Sequence, residues 1–356
     1  MEFAAFAERA SAIEAESADL EVVDLVTDLF SEATDDLEIL ARFVQGRVFP
    51  AWDSTTLDIG PRSCYEAIAR AAGQNVSAAD VEDDLATVGE IGAVAASYEF
   101  GGQQGLGAFT SGGDGPGDLT VREVQDTLTD LAAAEGSGSQ ERKVDLLFSL
   151  FNRCSSDEAR YLARIVLSEM RIGVGEGAVR DAIASAFEIP ADHVERALQV
   201  SNDYGQVAVV AREEGVEGLD ATNLEVGRPV QAMLAQAGTV TGALEDWEEV
   251  ALEWKYDGAR ISLHYDGDRA WVFSRNMEDV TAALPEVVEF AERRLERPVI
   301  LDGEVVAIDD TGDPLPFQEV LRRFRRKHDV EKAREELVAI GYQYDEDGNL
   351  RGTLGE

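Results

Sequence analysis

The sequence is poor in lysine, cysteine and histidine, and it contains no long apolar run. Of its 356 residues only four are lysine, three are histidine and two are cysteine. The two cysteines, Cys64 and Cys154, are far apart, which argues against a disulfide scaffold or a zinc site and fits a reducing cytoplasm. No apolar run approaches the ~18 residues of a membrane span, and the N-terminus lacks the basic and apolar regions of a signal peptide. We therefore expect a cytoplasmic protein that is not bound to a membrane.

Positive charge is also scarce. Lys and Arg total 31 against 71 Asp and Glu, so the formal net charge is −40. Hydrophobic residues make up 45% of the chain, too many for an acidic disordered protein. Self-repulsion destabilises such a compact protein in dilute buffer, whereas ~1 M salt shortens the Debye length to ~3 Å and screens the charge. The composition predicts a folded protein of an extreme halophile, most simply an archaeon, and does not exclude nucleic acid as a partner.

The length and the hydrophobic patterning predict a multidomain protein. Up to about residue 200, apolar residues recur at helical spacing. Further along the chain the pattern becomes strand-rich, and Asp266-Gly267 is typical of a β-hairpin turn. The sequence thus predicts an all-α domain at 1–205, a linker at 206–228 where periodicity is lost, and an α+β domain at 229–356. Three helix starts are typical of capping boxes: Ser77 with Asp80, Thr120 with Glu123, and Ser155 with Glu158.

Lys255 stands in a segment, residues 250–263, that has the alternation of a strand. In a strand, Lys255 would share one face with Glu253 and Asp257, and Gly258 would let the backbone turn or approach a ligand closely. A half-exposed strand with a ladder of charges would show the same alternation. Lysine is rare here, however, and arginine would serve any salt bridge as well. Because a neutral lysine amine is a nucleophile, we take Lys255 as the candidate catalytic residue.

Two later segments carry polar residues in strand-like surroundings. Asp302 and Glu304 are two positions apart, so they share a strand face where they could bind a ribose hydroxyl or a hydrated Mg2+. Arg275 follows a strand as a cation that could pair with phosphate. Together with Lys255, these residues point to phosphate chemistry on a nucleotide.

The order of these segments resembles that of the covalent nucleotidyltransferases, which include ATP-dependent and NAD-dependent DNA ligases, RNA ligases and mRNA capping enzymes. Residues 255–260 read K-Y-D-G-A-R and match the K-x-D-G-x-R motif of that superfamily. The segments S-R-N at 274–276 and D-G-E at 302–304 follow in the family's order. The segments YLARIVLSEMRIGVGEGAVRDAIASAF and GRPVQAMLAQ resemble specifically the archaeal and eukaryotic replicative type of ATP-dependent DNA ligase. This resemblance extends to about Leu337.

The resemblance implies a helical DNA-binding domain followed by an adenylation domain. It also implies an enzyme that seals nicks in duplex DNA through a lysyl-AMP intermediate, with ATP and Mg2+, in replication, repair and recombination. The residues carried over by resemblance are Lys255 as nucleophile, Glu253 for the adenine edge, Arg260 and Arg275 for ribose or phosphate, Glu304 for ribose and metal, and Asp257 as a support for the lysine.

Two groups of residues are candidates for contact with the DNA backbone. Arg171, Gly173 and Gly175 lie before a helix, where free amides and the helix dipole attract a phosphate oxygen. An ordinary corner between two helices would also use glycine. The second group is a basic cluster that would otherwise be read as a solvated helix face: Arg322, Arg323, Arg325, Arg326 and Lys327. We expect a monomer on nicked double-stranded DNA, with a sliding clamp left open as a further partner, and we assign no chemistry to the histidines.

After Leu337 the sequence departs from the family. The aromatic strand, the second metal-binding glutamate, the later pair of lysines and the OB-fold domain that the family supplies are not found, and no lysine follows Lys332. We therefore expect an incomplete adenylation domain and, at best, a weak ligase. The alternatives are a non-catalytic DNA-binding remnant and an RNA ligase or capping-type enzyme. The helical N-terminal domain argues against an RNA ligase or capping enzyme. The case for an NAD-dependent ligase is weaker still.

Overall fold

The chain separates into two compact units, Met1–Asn223 and Leu224–Glu356. The computed structural model describes residues 1–100, 119–230, 237–247, 249–251, 254–309, 311–324, 343–344 and 350–351. Among the helices it describes, none is both long and apolar enough to cross a membrane. The helices of the first unit are α1 Phe3–Ala15, α2 Asp19–Glu32, α3 Leu37–Phe43, α4 Pro61–Ala72, α5 Ala78–Val88, α6 Ile91–Ala96, α7 Val121–Ala132, α8 Ser139–Phe151, α9 Ser156–Val166, α10 Glu176–Ala186, α11 Ala191–Ser201 and α12 Tyr204–Ala221.

The first unit is helical because its apolar residues recur every three or four positions and gather on one side of each helix. In α1 the residues on this side are fully buried, and the Phe3 and Phe6 rings stack with their centroids 5.7 Å apart. Phe43 of α3 meets Phe6 edge-on at 5.9 Å. The predicted all-α N-terminal domain is confirmed.

All three predicted capping boxes are present, at the starts of α5, α7 and α9. In each, the first side chain accepts a hydrogen bond from the backbone amide of the acidic residue three positions later. That acidic side chain in turn accepts from the amide of the capping residue. These bonds satisfy amides that the first turn of a helix leaves without partners, so the helix starts are encoded locally.

The interval 206–228, predicted as a linker, is helical for most of its length. Helix α12 runs to Ala221, and Gly215 interrupts its helical geometry with φ +64°. Its buried side chains, among them Val207, Ala208 and Leu219, pack into the core of the first unit. The glycines of α12 conceal the helical period in the sequence. The prediction of a linker was therefore wrong for the part of this stretch up to Ala221. The chain divides into its two units between residues 223 and 224.

The second unit is built on an antiparallel sheet of β1 Ala259–Tyr265, β2 Ala270–Ser274 and β3 Val299–Val305 in the order β2-β1-β3, with helix α14 Pro285–Arg294 against it. The link between β1 and β2 is the predicted hairpin: the Asp266 amide donates to the Arg269 carbonyl, and Gly267 takes φ +109°. Helix α14 covers one face of the sheet, where Ile261, Leu263 and Val272 pack with Ala291. The elements of this unit are α13 Val240–Asp246, β1 Ala259–Tyr265, β2 Ala270–Ser274, α14 Pro285–Arg294, β3 Val299–Val305, α15 Phe317–Phe324, β4 Gln343–Tyr344 and β5 Leu350–Arg351.

Candidate functional site

The face of the sheet opposite α14 carries three of the polar residues that the sequence singled out, Arg260, Asp302 and Glu304. Successive side chains of a strand point to opposite faces, so burial of Ile261 and Leu263 in the core places Arg260, Ser262 and His264 on the other face. In the β1–β3 register, Arg260 lies opposite Glu304 and Ser262 lies opposite Asp302. We refer to this surface, formed by residues 260, 262, 264, 302 and 304, as the polar face.

Arg260 and Asp302 form a bidentate ion pair on the polar face. Arg260 Nε donates to Asp302 Oδ1 at 3.0 Å and Nη2 donates to Oδ2 at 2.6 Å. The hydrogen bonds from Arg260 lower the pKa of the Asp302 carboxyl, and the same pair raises the pKa of Arg260. Both side chains are partly exposed, at 40% and 58%. The pairing fixes the plane of the guanidinium and leaves its remaining donors for an oxygen of a ligand. Sequence reasoning assigned no such partner to Arg260.

Lys255 lies just before β1 and opens onto a cavity beside the polar face. The cavity has a volume of about 560 Å³. It brings together three of the predicted residues, Lys255, Arg260 and Glu304. The full lining is Trp254, Lys255, Tyr256, Arg260, Asp302, Gly303 and Glu304.

The predicted strand over 250–263 begins only at Ala259. The alternation predicted for residues around Lys255 is therefore wrong, because Lys255 and Asp257 both precede the strand. The strand begins at Ala259 because its partner β3 ends at Val305, which pairs with Ala259. The described residues before Ala259 therefore have no partner in β3.

Gly258 makes the approach of this segment to β3 possible. A Cβ at this position would overlap the Val305 carbonyl oxygen and lie 2.9 Å from Glu304 Cγ. Any side chain would therefore push residues 255–258 away from the end of β3. The sequence indicated a close approach at Gly258, and the structure shows that its partner is the protein's own backbone.

The remaining nucleotide-site predictions have different outcomes. Arg275 directly follows Ser274, which pairs with Ile261, so it lies at the same end of the sheet as Arg260. Its side chain is exposed and is not part of the cavity lining. Glu253 lies outside the described residues. The described part of the chain holds no cluster of three or more His, Cys, Asp or Glu residues able to bind a metal by itself.

In the first unit, the predicted DNA-contacting residues line a single cleft. Arg171, Gly173 and Gly175 border a space of about 380 Å³ together with Gln45. Arg171 and Gly173 both have positive φ, +51° and +78°, which turns the loop sharply before α10. Gly175 is the N-cap residue of α10 and provides no side-chain cap, so the first amides of that helix are not capped by it. Arg171 pairs with Glu169 at 2.7 Å.

A buried arginine that the sequence analysis did not identify supports this loop. Arg164 in α9 has only 4% of its side chain exposed. It forms bidentate pairs with Glu14 and with Glu90 over distances of 2.8 to 3.1 Å, and it donates to the Met170 carbonyl at 3.3 Å. The hydrogen bonds from Arg164 lower the pKa of Glu14. Burial opposes ionisation of Glu90, but its hydrogen bonds from Arg164 and two amides outweigh burial and lower its pKa as well.

Lys143 is a second buried cation that the sequence did not single out. Its ammonium donates to the Leu57 carbonyl at 2.9 Å and to the Asp58 carboxylate at 3.2 Å. Asp58 takes φ +47°, so the lysine holds a strained turn in place. This turn borders a further cleft of about 540 Å³ that shares Ser168 and Glu169 with the cleft at Arg171.

The predicted basic cluster is described only in part. Arg322 and Arg323 fall in α15, whose side chains at those positions are not described. Arg325, Arg326 and Lys327 lie outside the described residues. A contact between this cluster and DNA therefore stays a prediction.

Two family profiles match the chain. One, described as the DNA ligase N terminus, matches residues 2–184, and the other, described as the ATP dependent DNA ligase domain, matches residues 232–345. The two matched ranges correspond to the two compact units of the structure. They also confirm the predicted order of a helical domain followed by an adenylation domain.

The chain is also similar to curated archaeal proteins. It is 70% identical over 345 residues to a DNA ligase of Haloarcula marismortui and 63% identical to one of Halobacterium salinarum. It is 41% identical over 348 residues to a DNA ligase of Archaeoglobus fulgidus. Each alignment covers 97% of this chain and 61–62% of the relative. The chain thus spans about three fifths of the length of these relatives. Its similarity to DNA ligases of Haloarcula marismortui and Halobacterium salinarum agrees with the prediction from charge.

Proposed function

Because the chain belongs to the ATP-dependent DNA ligase family, we propose that it provides the DNA-binding and adenylating parts of an enzyme that seals nicks in duplex DNA. The observation that carries this proposal is the cavity in which Lys255, Arg260 and Glu304 meet. A nucleophile, a cation for phosphate and a carboxylate for ribose or metal are the groups that nucleotidyl transfer requires.

The proposed ligation reaction has three steps. The Lys255 amine loses its proton and attacks the α-phosphorus of ATP, and pyrophosphate leaves with the electron pair of the broken P–O bond. The AMP then passes from lysine to the 5′-phosphate at the nick, forming a P–O–P bond and restoring the free amine. Finally the 3′-hydroxyl attacks that phosphate, the strand is joined and AMP leaves.

The other predicted nucleotide-site residues would have the following parts in this scheme. Asp302 holds the Arg260 guanidinium flat against the polar face, so that its free donors meet a ribose or phosphate oxygen. Arg275 lies beyond the cavity lining and would reach the nucleotide from the end of β2. Glu253 would read the adenine edge.

Mg2+ fits the donor set at the cavity. Glu304 offers one carboxylate there, while Asp302 is engaged by Arg260. One or two carboxylates together with substrate phosphates are a usual set of ligands for Mg2+. The ion would offset the charge that develops on the transferring phosphoryl group.

The DNA substrate would bind through the first unit. One cleft combines the Arg171 cation, the sharp turn at Gly173 and the start of α10 at Gly175. This combination suits a phosphate of the duplex backbone. Contacts of this kind suit concentrated salt, because counterion release brings little advantage there. We propose nicked double-stranded DNA as the substrate, in replication, repair and recombination in the cytoplasm. The protein would act as a monomer, and a sliding clamp is a further candidate partner. The basic cluster at 322–327 would make a second contact with DNA.

The proposed nucleophile is tested by labelling. The 356-residue chain is incubated with α-labelled ATP or labelled NAD and run on a denaturing gel. Label from ATP should appear on the chain, and it should be lost in both Lys255→Ala and Lys255→Arg, since arginine keeps the charge but is not a nucleophile. Label that persists in both variants would refute the assignment. Binding of nicked DNA without any label would favour the non-catalytic reading.

The proposed DNA contact is tested by mobility shift on nicked duplex in concentrated KCl. Arg171→Ala should weaken binding severalfold, because a phosphate contact is removed. Arg180→Ala is the matched control, since Arg180, like Arg171, pairs with carboxylates but does not line the cleft. Equal binding by the two variants would contradict the contact. Nicked RNA, tested in parallel, separates a DNA ligase from an RNA ligase.

A further inference from the structure

His264, to which the sequence analysis assigned no chemistry, is fully buried on the polar face. Its ring meets Phe273 of β2 edge-on, with the centroids 4.9 Å apart, and it lies opposite Ile300 of β3. Burial lowers the pKa of this histidine to about 4. The ring is therefore neutral under ordinary conditions.

Both ring nitrogens of His264 have hydrogen-bond partners. The Gly227 amide donates to Nδ1 at 3.1 Å, and Nε2 lies 2.9 Å from Ser262 Oγ. Because Nδ1 accepts, the hydrogen of the neutral ring is on Nε2, and Nε2 donates to the Ser262 oxygen. Gly227 itself takes φ +88°, a conformation that glycine adopts without strain.

This arrangement orients the Ser262 hydroxyl. Its oxygen accepts from His264, so its own hydrogen points elsewhere, and the hydroxyl has no other hydrogen bond among the described residues. Ser262 lies directly opposite Asp302 in the β1–β3 register, where Cβ atoms of such pairs are ~5 Å apart. Asp302 in turn holds Arg260 at the cavity.

We propose that His264 is a positioning residue of the nucleotide site, with one ring nitrogen anchoring the Gly227 backbone and the other turning the Ser262 hydroxyl toward the Asp302–Arg260 pair. The two nitrogens have separable tasks: Nδ1 stabilises the fold of the second unit, and Nε2 sets the polar face for the nucleotide. This inference rests on the proposed function, because its readout is the binding of ATP.

Two substitutions at His264 separate the tasks. In His264→Asn the amide oxygen occupies the place of Nδ1 and still accepts from Gly227, but the donor to Ser262 is lost. In His264→Gln the amide nitrogen reaches the place of Nε2 and still donates to Ser262, but the acceptor for Gly227 is lost. Ser262→Ala removes the hydroxyl alone. Thr281→Val is the matched control, since it removes a hydrogen bond to the Val272 amide elsewhere in this unit.

The experiment measures, for each variant of the 356-residue chain, the dissociation constant of ATP in EDTA, which prevents the chemical step, and the midpoint of thermal unfolding. His264→Asn and Ser262→Ala should weaken ATP binding about fivefold, the loss of about one hydrogen bond. His264→Gln and Thr281→Val should stay within about twofold of the wild type while lowering the unfolding midpoint. The double variant of Ser262→Ala with His264→Asn should be no weaker than either alone, because both act through one route.

The outcomes are distinct. Equal ATP affinity in all four single variants would overturn the inference and leave the proposed function standing. Weak binding in His264→Gln together with normal binding in Ser262→Ala would overturn the route through the hydroxyl. A wild-type chain that neither binds ATP nor becomes labelled would refute the proposed function, and this inference with it.

Discussion

Replacing Arg164 by alanine should destabilise the helical unit and weaken its binding to nicked DNA. The arginine is almost fully buried and donates to two carboxylates and to the Met170 carbonyl, so its removal leaves Glu14 and Glu90 facing each other without a cation. The partly buried surroundings penalise a carboxylate that has lost its cationic partner.

The magnitude follows from the burial of the partners. Removal of one member of a fully buried ion pair costs ~3–5 kcal/mol. Glu14 and Glu90 remain 30% and 20% exposed, so water can partly solvate them, and we expect the low end of this range. A loss of about 3 kcal/mol lowers the unfolding midpoint of a unit of this size by about 6–12 °C.

The assay is denaturant unfolding in concentrated KCl, followed by helical circular dichroism, because the first unit holds most of the helix. Arg164→Lys should lose most of the same stability, since an ammonium cannot serve two carboxylates in bidentate fashion. Arg180→Ala provides the surface control and should cost less than ~1 kcal/mol. If Arg164→Ala is no more destabilising than Arg180→Ala, the network does not stabilise the fold. If Arg164→Ala binds nicked DNA as tightly as the wild type does, the network around Arg164 does not support the DNA contact proposed for the loop at Arg171.

Three further predictions concern single positions. Gly258→Ala should destabilise the second unit by ~1–3 kcal/mol, since its methyl group would overlap the Val305 carbonyl, and labelling of the chain by ATP should fall with it. The His264 pKa of about 4 lies below its ordinary value of 6.5, so the stability linked to it is complete above pH 6.5 and is lost as pH falls toward 4. Unfolding at about pH 7.5 and about pH 5 should therefore show a loss of up to ~2 kcal/mol in the wild type that is absent in His264→Asn; an equal loss in both would contradict the assignment. Lys143→Met should speed amide hydrogen exchange around Asp58, whose strained turn the ammonium holds, and unchanged exchange would show that the turn is stable without it.

Local patterns were sufficient for much of the fold. The capping boxes at the starts of α5, α7 and α9 involve residues three positions apart, and the turn at Asp266-Gly267 joins adjacent strands. Such features depend only on neighbours along the chain, so spacing reveals them. The linker prediction failed at α12 because three glycines within the helix, with Gly215 at positive φ, disturb the period that identifies a helix.

The candidate site could be predicted in its members but not in its arrangement. The rarity of lysine and the K-Y-D-G-A-R segment marked Lys255, and the structure places it with Arg260 and Glu304 in one cavity. The pairing of Arg260 with Asp302 was not foreseen, because it depends on which residues of β1 and β3 lie opposite each other. A shift of one residue in register would turn Asp302 to the opposite face.

The sequence by itself determined that this is an acidic, salt-adapted protein with a helical part and a strand-rich part, and it predicted one lysine as the candidate nucleophile. Composition, helical period and a short ordered set of motifs carry that information in residues close together along the chain. Only the tertiary structure decided which polar groups pair: Arg164 with Glu14 and Glu90, Arg260 with Asp302, and His264 with the Gly227 amide and the Ser262 hydroxyl. These partners are between 2 and 150 residues apart, and the way strands register and helices pack sets which of them meet.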